Sequence, residues 1–191
     1  MKVFVMVNNY GEEALKKPCG WYLLADSAVT NTGKPFYLPE GLGQVRASLG
    51  LALKISRVGK SISPEFAGRY FTEAAPVLHF HFPEYEAKLL EQGLPGDAAR
   101  NFDRSLFVGE FSPIDANWEA CLFLNEEKKE IFSVSRLLHT PEEVVSEISK
   151  RNTLKIGDLI LPGLSGNIPL GIEDKLEVKI QGERVFMVKV K

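Results

Sequence analysis

The C-terminal stretch Leu176-Glu177-Val178-Lys179-Ile180-Gln181-Gly182-Glu183-Arg184-Val185-Phe186-Met187-Val188-Lys189-Val190 decides the fold. Leu176, Val178 and Ile180 alternate with Glu177 and Lys179, and Phe186, Val188 and Val190 alternate with Met187 and Lys189. Successive side chains of a strand point to opposite faces, so each run buries one face and wets the other. Gln181-Gly182 lies between them, and glycine supplies the positive φ that a tight hairpin turn needs. The chain is expected to end in an antiparallel hairpin.

Working outward, further strands are predicted at Lys2–Val7, Trp21–Leu24, Leu49–Ile55, Ala75–Phe82, Leu106–Phe111, Trp118–Asn125 and Glu130–Val134, with 125–129 as a charged, exposed turn. Helices are fewer. Thr140-Pro141-Glu142-Glu143 places a hydroxyl at the N-cap, proline at the first helical position and a carboxylate three residues after the cap. A helix from Pro141 to Lys150 follows, with Val144, Val145 and Ile148 on its apolar face. Ser63-Pro64-Glu65 starts a second helix with Phe66, Tyr70 and Phe71 inward, and Pro83–Gln92 forms a third, ended by Gly93. No repeat or linker interrupts the pattern. Residues 1–191 are therefore expected to form one domain of α+β class, a curved, antiparallel-rich sheet with about three helices outside it.

Composition narrows the function. The 191 residues are 45% hydrophobic, with 23 Lys and Arg against 25 Asp and Glu, a net charge of −2. That balance offers no surplus of cations for a phosphate backbone, so nucleic acid is excluded as a principal ligand. No apolar run approaches the roughly 20 residues that cross a bilayer, so no membrane partner is expected. Met1–Val7 has an apolar run too short for a signal peptide, which points to a cytoplasmic protein. Cys19 and Cys121 are far apart and have no metal-binding spacing.

No P-loop, G-x-G-x-x-G or G-x-S-x-G motif occurs. The most suggestive feature is His79-Phe80-His81, because i and i+2 in a strand share a face and two imidazoles can ligate one metal; Glu84 and Glu86 follow. Two hydrogen-bonded or solvent-facing histidines fit the same pattern. Glu13, beside Glu12, is a candidate general base or an exposed acidic turn. Arg100, near Asp103, is a candidate for binding an anion through its guanidinium fork, or half of a surface ion pair. Trp21 and Trp118 fit a stacking role or the core.

Taken in order, these segments resemble the fumarylacetoacetate hydrolase family. The resemblance runs from Asn9-Tyr10 through Ser27-Ala28-Val29, Pro35-Phe36-Tyr37-Leu38-Pro39, the strand closing at Ile55, Ser63-Pro64-Glu65, Asn101-Phe102-Asp103 and Gly109 to Thr153-Leu154-Lys155-Ile156-Gly157-Asp158-Leu159-Ile160, Gly163 and the last hairpin. It implies a mixed β-roll, usually a homodimer. It also implies a divalent metal such as Mg2+ held by three carboxylates, which stabilises the enolate when small 2-oxo or diketo acids are hydrolysed, decarboxylated or tautomerised. At the implied ligand positions this sequence has Ser48, Gly50 and His79. The basic residue expected before Asn9 is Asn8, and the histidine expected a few residues later is Glu13. The lysines expected before Ser27 and before Phe102 are Ala25 and Arg100, and the turn expected to contact the substrate carboxylate contains Ser165.

The expected function is therefore that of a divergent family member, catalytically inactive or binding only a small carboxylic acid through Arg100 and Ser165, with no cofactor. The alternative is an active hydrolase or isomerase whose rewired site holds a softer divalent metal on His79 and His81, with Glu13 as base. A third arrangement has Glu40 folding back into the site.

Overall fold

A computed structural model describes residues 1–31, 33–114 and 117–191; the side chain of Glu13 also lies outside the described residues. In chain order the strands are β1 (Val3–Val7), β2 (Gly20–Leu24), β3 (Val29–Asn31), β4 (Arg46–Ile55), β5 (Phe71–His81), β6 (Leu106–Val108), β7 (Ser112–Pro113), β8 (Glu119–Leu124), β9 (Glu127–Ser133), β10 (Leu159–Leu161), β11 (Leu164–Pro169), β12 (Lys175–Ile180) and β13 (Glu183–Lys189). The α-helices are α1 (Pro64–Ala67), α2 (Pro83–Glu91) and α3 (Pro141–Arg151).

The strands form a nine-stranded sheet with the path β2-β1-β10-β4-β5-β6-β3, joined by β11 on β4 and β7 on β5, and a four-stranded sheet β13-β12-β8-β9. β1 runs parallel to β10 and β3 parallel to β6; the other pairs are antiparallel. The α+β roll expected from the sequence is thus mixed. Its large sheet is apolar on both faces. Leu49, Leu51, Leu53, Leu78 and Phe80 face a core shared with Phe132, Leu176, Val178 and Phe186 of the small sheet and with Val144, Val145 and Ile148 of α3. On the other face Val3, Val5, Ala52, Ala75, Val77, Leu106 and Leu161 make a second, smaller cluster inside the curl.

The terminal hairpin forms as expected, turning at Gln181 and Gly182 with φ of 50° and 85°. α3 also forms, with both halves of its capping box: the Glu143 amide donates to the Thr140 hydroxyl at 3.3 Å and the Thr140 amide to Glu143 at 2.9 Å. α2 ends before Gly93, whose φ is +72°. Three readings change. The helix at Ser63 is a single turn, and Phe66 is 46% exposed under the Arg69 guanidinium while Ala67 is buried. It stops because Phe71 already begins β5 and is buried there. The turn expected over 125–129 is only Asn125-Glu126, because both adopt positive φ and let β9 start at Glu127. Strands β3, β7, β10 and β11 are not among those expected: β3, β7 and β10 are too short to show a period, and the alternation of β11 is broken by the register shift between Ser165 and Ile168.

Candidate active-site cleft

The alternation of two neighbouring strands builds the site. β4 and β5 pair with Arg46 opposite His81, Ser48 opposite His79, and Gly50 opposite Val77. Ala52, Ala75 and Val77 fill the inside of the curl. Farther along the same face, Ser48, His79 and His81 reach its mouth, where Val7, Tyr22, Leu164, Glu86 and Arg100 complete a cleft of about 180 Å³.

His79 is 2% exposed and its Nε2 lies 3.1 Å from the Arg100 carbonyl. A carbonyl only accepts, so Nε2 carries the proton. The Nε2 of His81 lies 3.2 Å from the Asn167 side-chain oxygen, and its Nδ1 is buried without a hydrogen-bond partner. The two rings are parallel within 9° and 5.8 Å apart. Burial, with His81 as neighbour, pushes His79 down to about 3. Burial together with the guanidiniums of Arg100 and Arg46 lowers His81 to about 4, against the opposing Asn167 contact. Both imidazoles are therefore neutral near pH 7. Burial pushes Tyr22 up to about 12 despite Arg100 beside it, so the phenol is neutral too.

Arg100 is the cation lining the cleft. Its guanidinium lies 4.5 Å from the Tyr22 ring centroid and is paired with the Glu86 carboxylate. Arg46, at the rim, is held by Glu84 at 3.5 Å and donates to the Asn167 carbonyl at 3.3 Å.

A hard divalent cation needs several anionic oxygens. These residues do not fit one. The Ser48 hydroxyl is neutral and donates to the Gly166 carbonyl at 2.9 Å. At Gly50 an added Cβ would lie 2.6 Å from Leu164 Cδ2 and 2.8 Å from the Gly163 carbonyl, so no ligating side chain has room. Both imidazole Nε2 atoms face oxygen partners, and no cluster of three or more His, Cys, Asp or Glu with metal-binding geometry occurs among the described residues.

The cleft brings together Arg100, His79, His81, Ser48 and Glu86 but, among the described residues, neither Ser165 nor Glu40. Ser165 is buried with its hydroxyl directed to the Leu49 carbonyl at 3.3 Å, on the opposite face from Leu164. Glu13 lies in the 3-10 helix Glu12–Lys16, and its side chain is outside the described residues. Glu40 is exposed and does not line the cleft. Tyr22 and Leu164 are not among the sequence candidates; the parity of Tyr22 with Leu24 is a usable signal, whereas Leu164 has none. Asn9, which the sequence shows only as part of the Asn9-Tyr10 pair, is a buried clamp: its side chain accepts from the His139 amide at 2.7 Å and donates to the carbonyls of His139 and Pro162.

Residues 5–188 match the profile described as fumarylacetoacetate (FAA) hydrolase, C-terminal. The chain belongs to the fumarylacetoacetate hydrolase family. Among its relatives in the family are the oxaloacetate tautomerase YcgM of Escherichia coli, 23% identical over 84% of this chain and 77% of that protein, and the mitochondrial oxaloacetate tautomerase FAHD1 of Bos taurus, 25% identical over 88% and 79%. A solved fumarylpyruvate hydrolase from Pseudomonas aeruginosa, in complex with Mn2+ and pyruvate, superposes with a TM-score of 0.90 at 21% identity, covering 100% of this chain and 89% of that one. The likeness to that structure establishes the family's fold here. Among the described residues no helix is long and apolar enough to cross a membrane.

Proposed function

We propose that this family member keeps the roll and its cleft but not the divalent-metal chemistry, and that the cleft takes a small carboxylate anion without turning it over. The observation that carries the reading is Gly50, where Leu164 and the Gly163 carbonyl fill the space of a ligating side chain. In this reading Arg100 supplies the charge that attracts the anion, and Tyr22 and the two imidazoles supply neutral walls. The relatives are named for oxaloacetate and fumarylpyruvate, the latter solved with Mn2+ and pyruvate, which makes small 2-oxo acids the class to try first.

The test is calorimetric titration of Mg2+ and Mn2+ into metal-free protein, with an oxaloacetate keto–enol assay beside it. The expected result is no metal-binding heat and a rate equal to buffer alone. Tight binding of Mn2+ with turnover overturns the proposal.

One observation favours a second reading, a rewired enzyme: the bare Nδ1 of His81, buried at the cleft without a partner. Its prediction is a softer metal retained through purification and lost in His81→Ala, read by elemental analysis.

A further inference from the structure

We infer that Glu86 is a built-in competitor for the anion, occupying the Arg100 fork that an incoming carboxylate must take; the inference rests on the small-carboxylate reading above. The guanidinium is enclosed between two partners, the Tyr22 ring on one side and the Glu86 carboxylate on the other. Side-chain exposures of 21% for Arg100 and 23% for Glu86 leave little of the fork for a second anion. A guanidinium recognises a carboxylate through parallel N–H donors, so ligand and Glu86 compete for the same geometry.

The surroundings are shaped to hold the competitor. Gly96 lies against Glu86, and a Cβ added there would come within 2.9 Å of its Cγ and 3.0 Å of Oε1. The absence of a side chain at 96 is what lets the carboxylate reach Arg100. Glu86 sits in the first turns of α2, which follows His81 almost directly and contains no fully buried residue. The helix is held instead by Glu86 on Arg100, by Glu84 on Arg46 and the Gln44 amide, and by partly buried Tyr85 and Leu89. Tyr85, Leu89 and the buried N-cap Phe82 keep the helix on the core, so Glu86 leaves the fork by rotation of its own side chain. Glu84 itself does not line the cleft.

The consequence is a latch. The competent state is the one in which Glu86 has left the fork, and apparent affinity falls by the fraction of molecules in that state. Binding and the anchoring of the helix are then linked: a carboxylate that takes Arg100 removes the tie that Glu86 gives the first turns of α2.

The experiment is calorimetric titration of sodium oxalate in metal-free buffer into the wild type, Glu86→Gln, Glu84→Gln and Arg100→Gln, each checked by circular dichroism and thermal melting. Hydrogen exchange over 83–91 is followed with and without oxalate. The expected result is at least tenfold tighter binding by Glu86→Gln, less than twofold change in Glu84→Gln, and loss of binding in Arg100→Gln. In the wild type, exchange over 83–91 rises when oxalate binds. If folded Glu86→Gln binds no tighter than the wild type while Arg100→Gln loses binding, the latch is overturned and the anion site stands. An equal gain in Glu84→Gln also overturns it, because the effect is then general charge. If oxalate binds neither the wild type nor folded Glu86→Gln, latch and anion site both fall.

Discussion

Gly50 shows how much one missing side chain decides. It lies opposite Val77, whose Cγ2 would be 3.3 Å from an added Cβ, with Leu164 and the Gly163 carbonyl closer still. A side chain can swing aside but a carbonyl fixed between β10 and β11 cannot. Gly50→Ala is therefore expected to destabilise the protein by about 1–3 kcal/mol, the usual cost of overpacking a filled interior. Urea denaturation of Gly50→Ala, and of Gly50→Ala with Leu164→Ala, checks this: the double variant should regain part of the loss, and an unchanged single-variant midpoint would show that the space is not filled. The family resemblance singled out Ser48, Gly50 and His79, and strand parity, which is local, put His79 and His81 on one face. Leu164 was invisible to it, because its importance comes from a strand 114 positions away.

At the level of elements, β10 is wedged parallel to β1 and antiparallel to β4, and Asp158 fastens it. The carboxylate is 2% exposed and accepts from the Lys2 amide at 2.8 Å, the Lys155 amide at 2.9 Å and the Lys2 ammonium at 2.8 Å. Burial works to raise its pKa, but the donors from Lys2 and Lys155 outweigh it and hold the group below the ordinary aspartate value. A depressed folded pKa stabilises the protein above the unfolded value of about 4, and that contribution disappears as pH falls through the folded value. Asp158→Asn should cost about 2 kcal/mol at pH 7, the scale of charge-assisted hydrogen bonds, and the two proteins should converge as pH falls below about 4. Thermal melts across that range give the answer; a constant difference would assign the effect to shape instead of charge. The capping box of α3 was legible because all its partners lie within four residues. The failure at α1 has the same origin, since the cap signal is local but β5 ended the helix.

Across the whole molecule, the two sheets share one apolar core, with Phe132, Leu176 and Val188 packed in the same cluster as Leu49, Leu51 and Phe80. Trp21 lies by Phe4 on the large sheet and Trp118 by Phe132 on the small one, at centroid distances of 5.6 Å and 6.1 Å. We propose that residues 1–191 unfold as one domain. The fluorescence of Trp21→Phe, reporting Trp118, and of Trp118→Phe, reporting Trp21, should each give a urea transition coincident with that variant's own far-ultraviolet dichroism. Separated transitions would divide the chain.

The sequence by itself determined the strand parities, the terminal hairpin, the cap of α3 and the placing of His79 and His81 on one face, since each follows from neighbours a few bonds apart. Only the tertiary structure decided what the cleft is. Leu164 over Gly50, the Ser48 hydroxyl on Gly166 and Glu86 in the fork of Arg100 are meetings between separate elements. They depend on how the curl brings β4, β5, β11 and α2 together, and no local period encodes that.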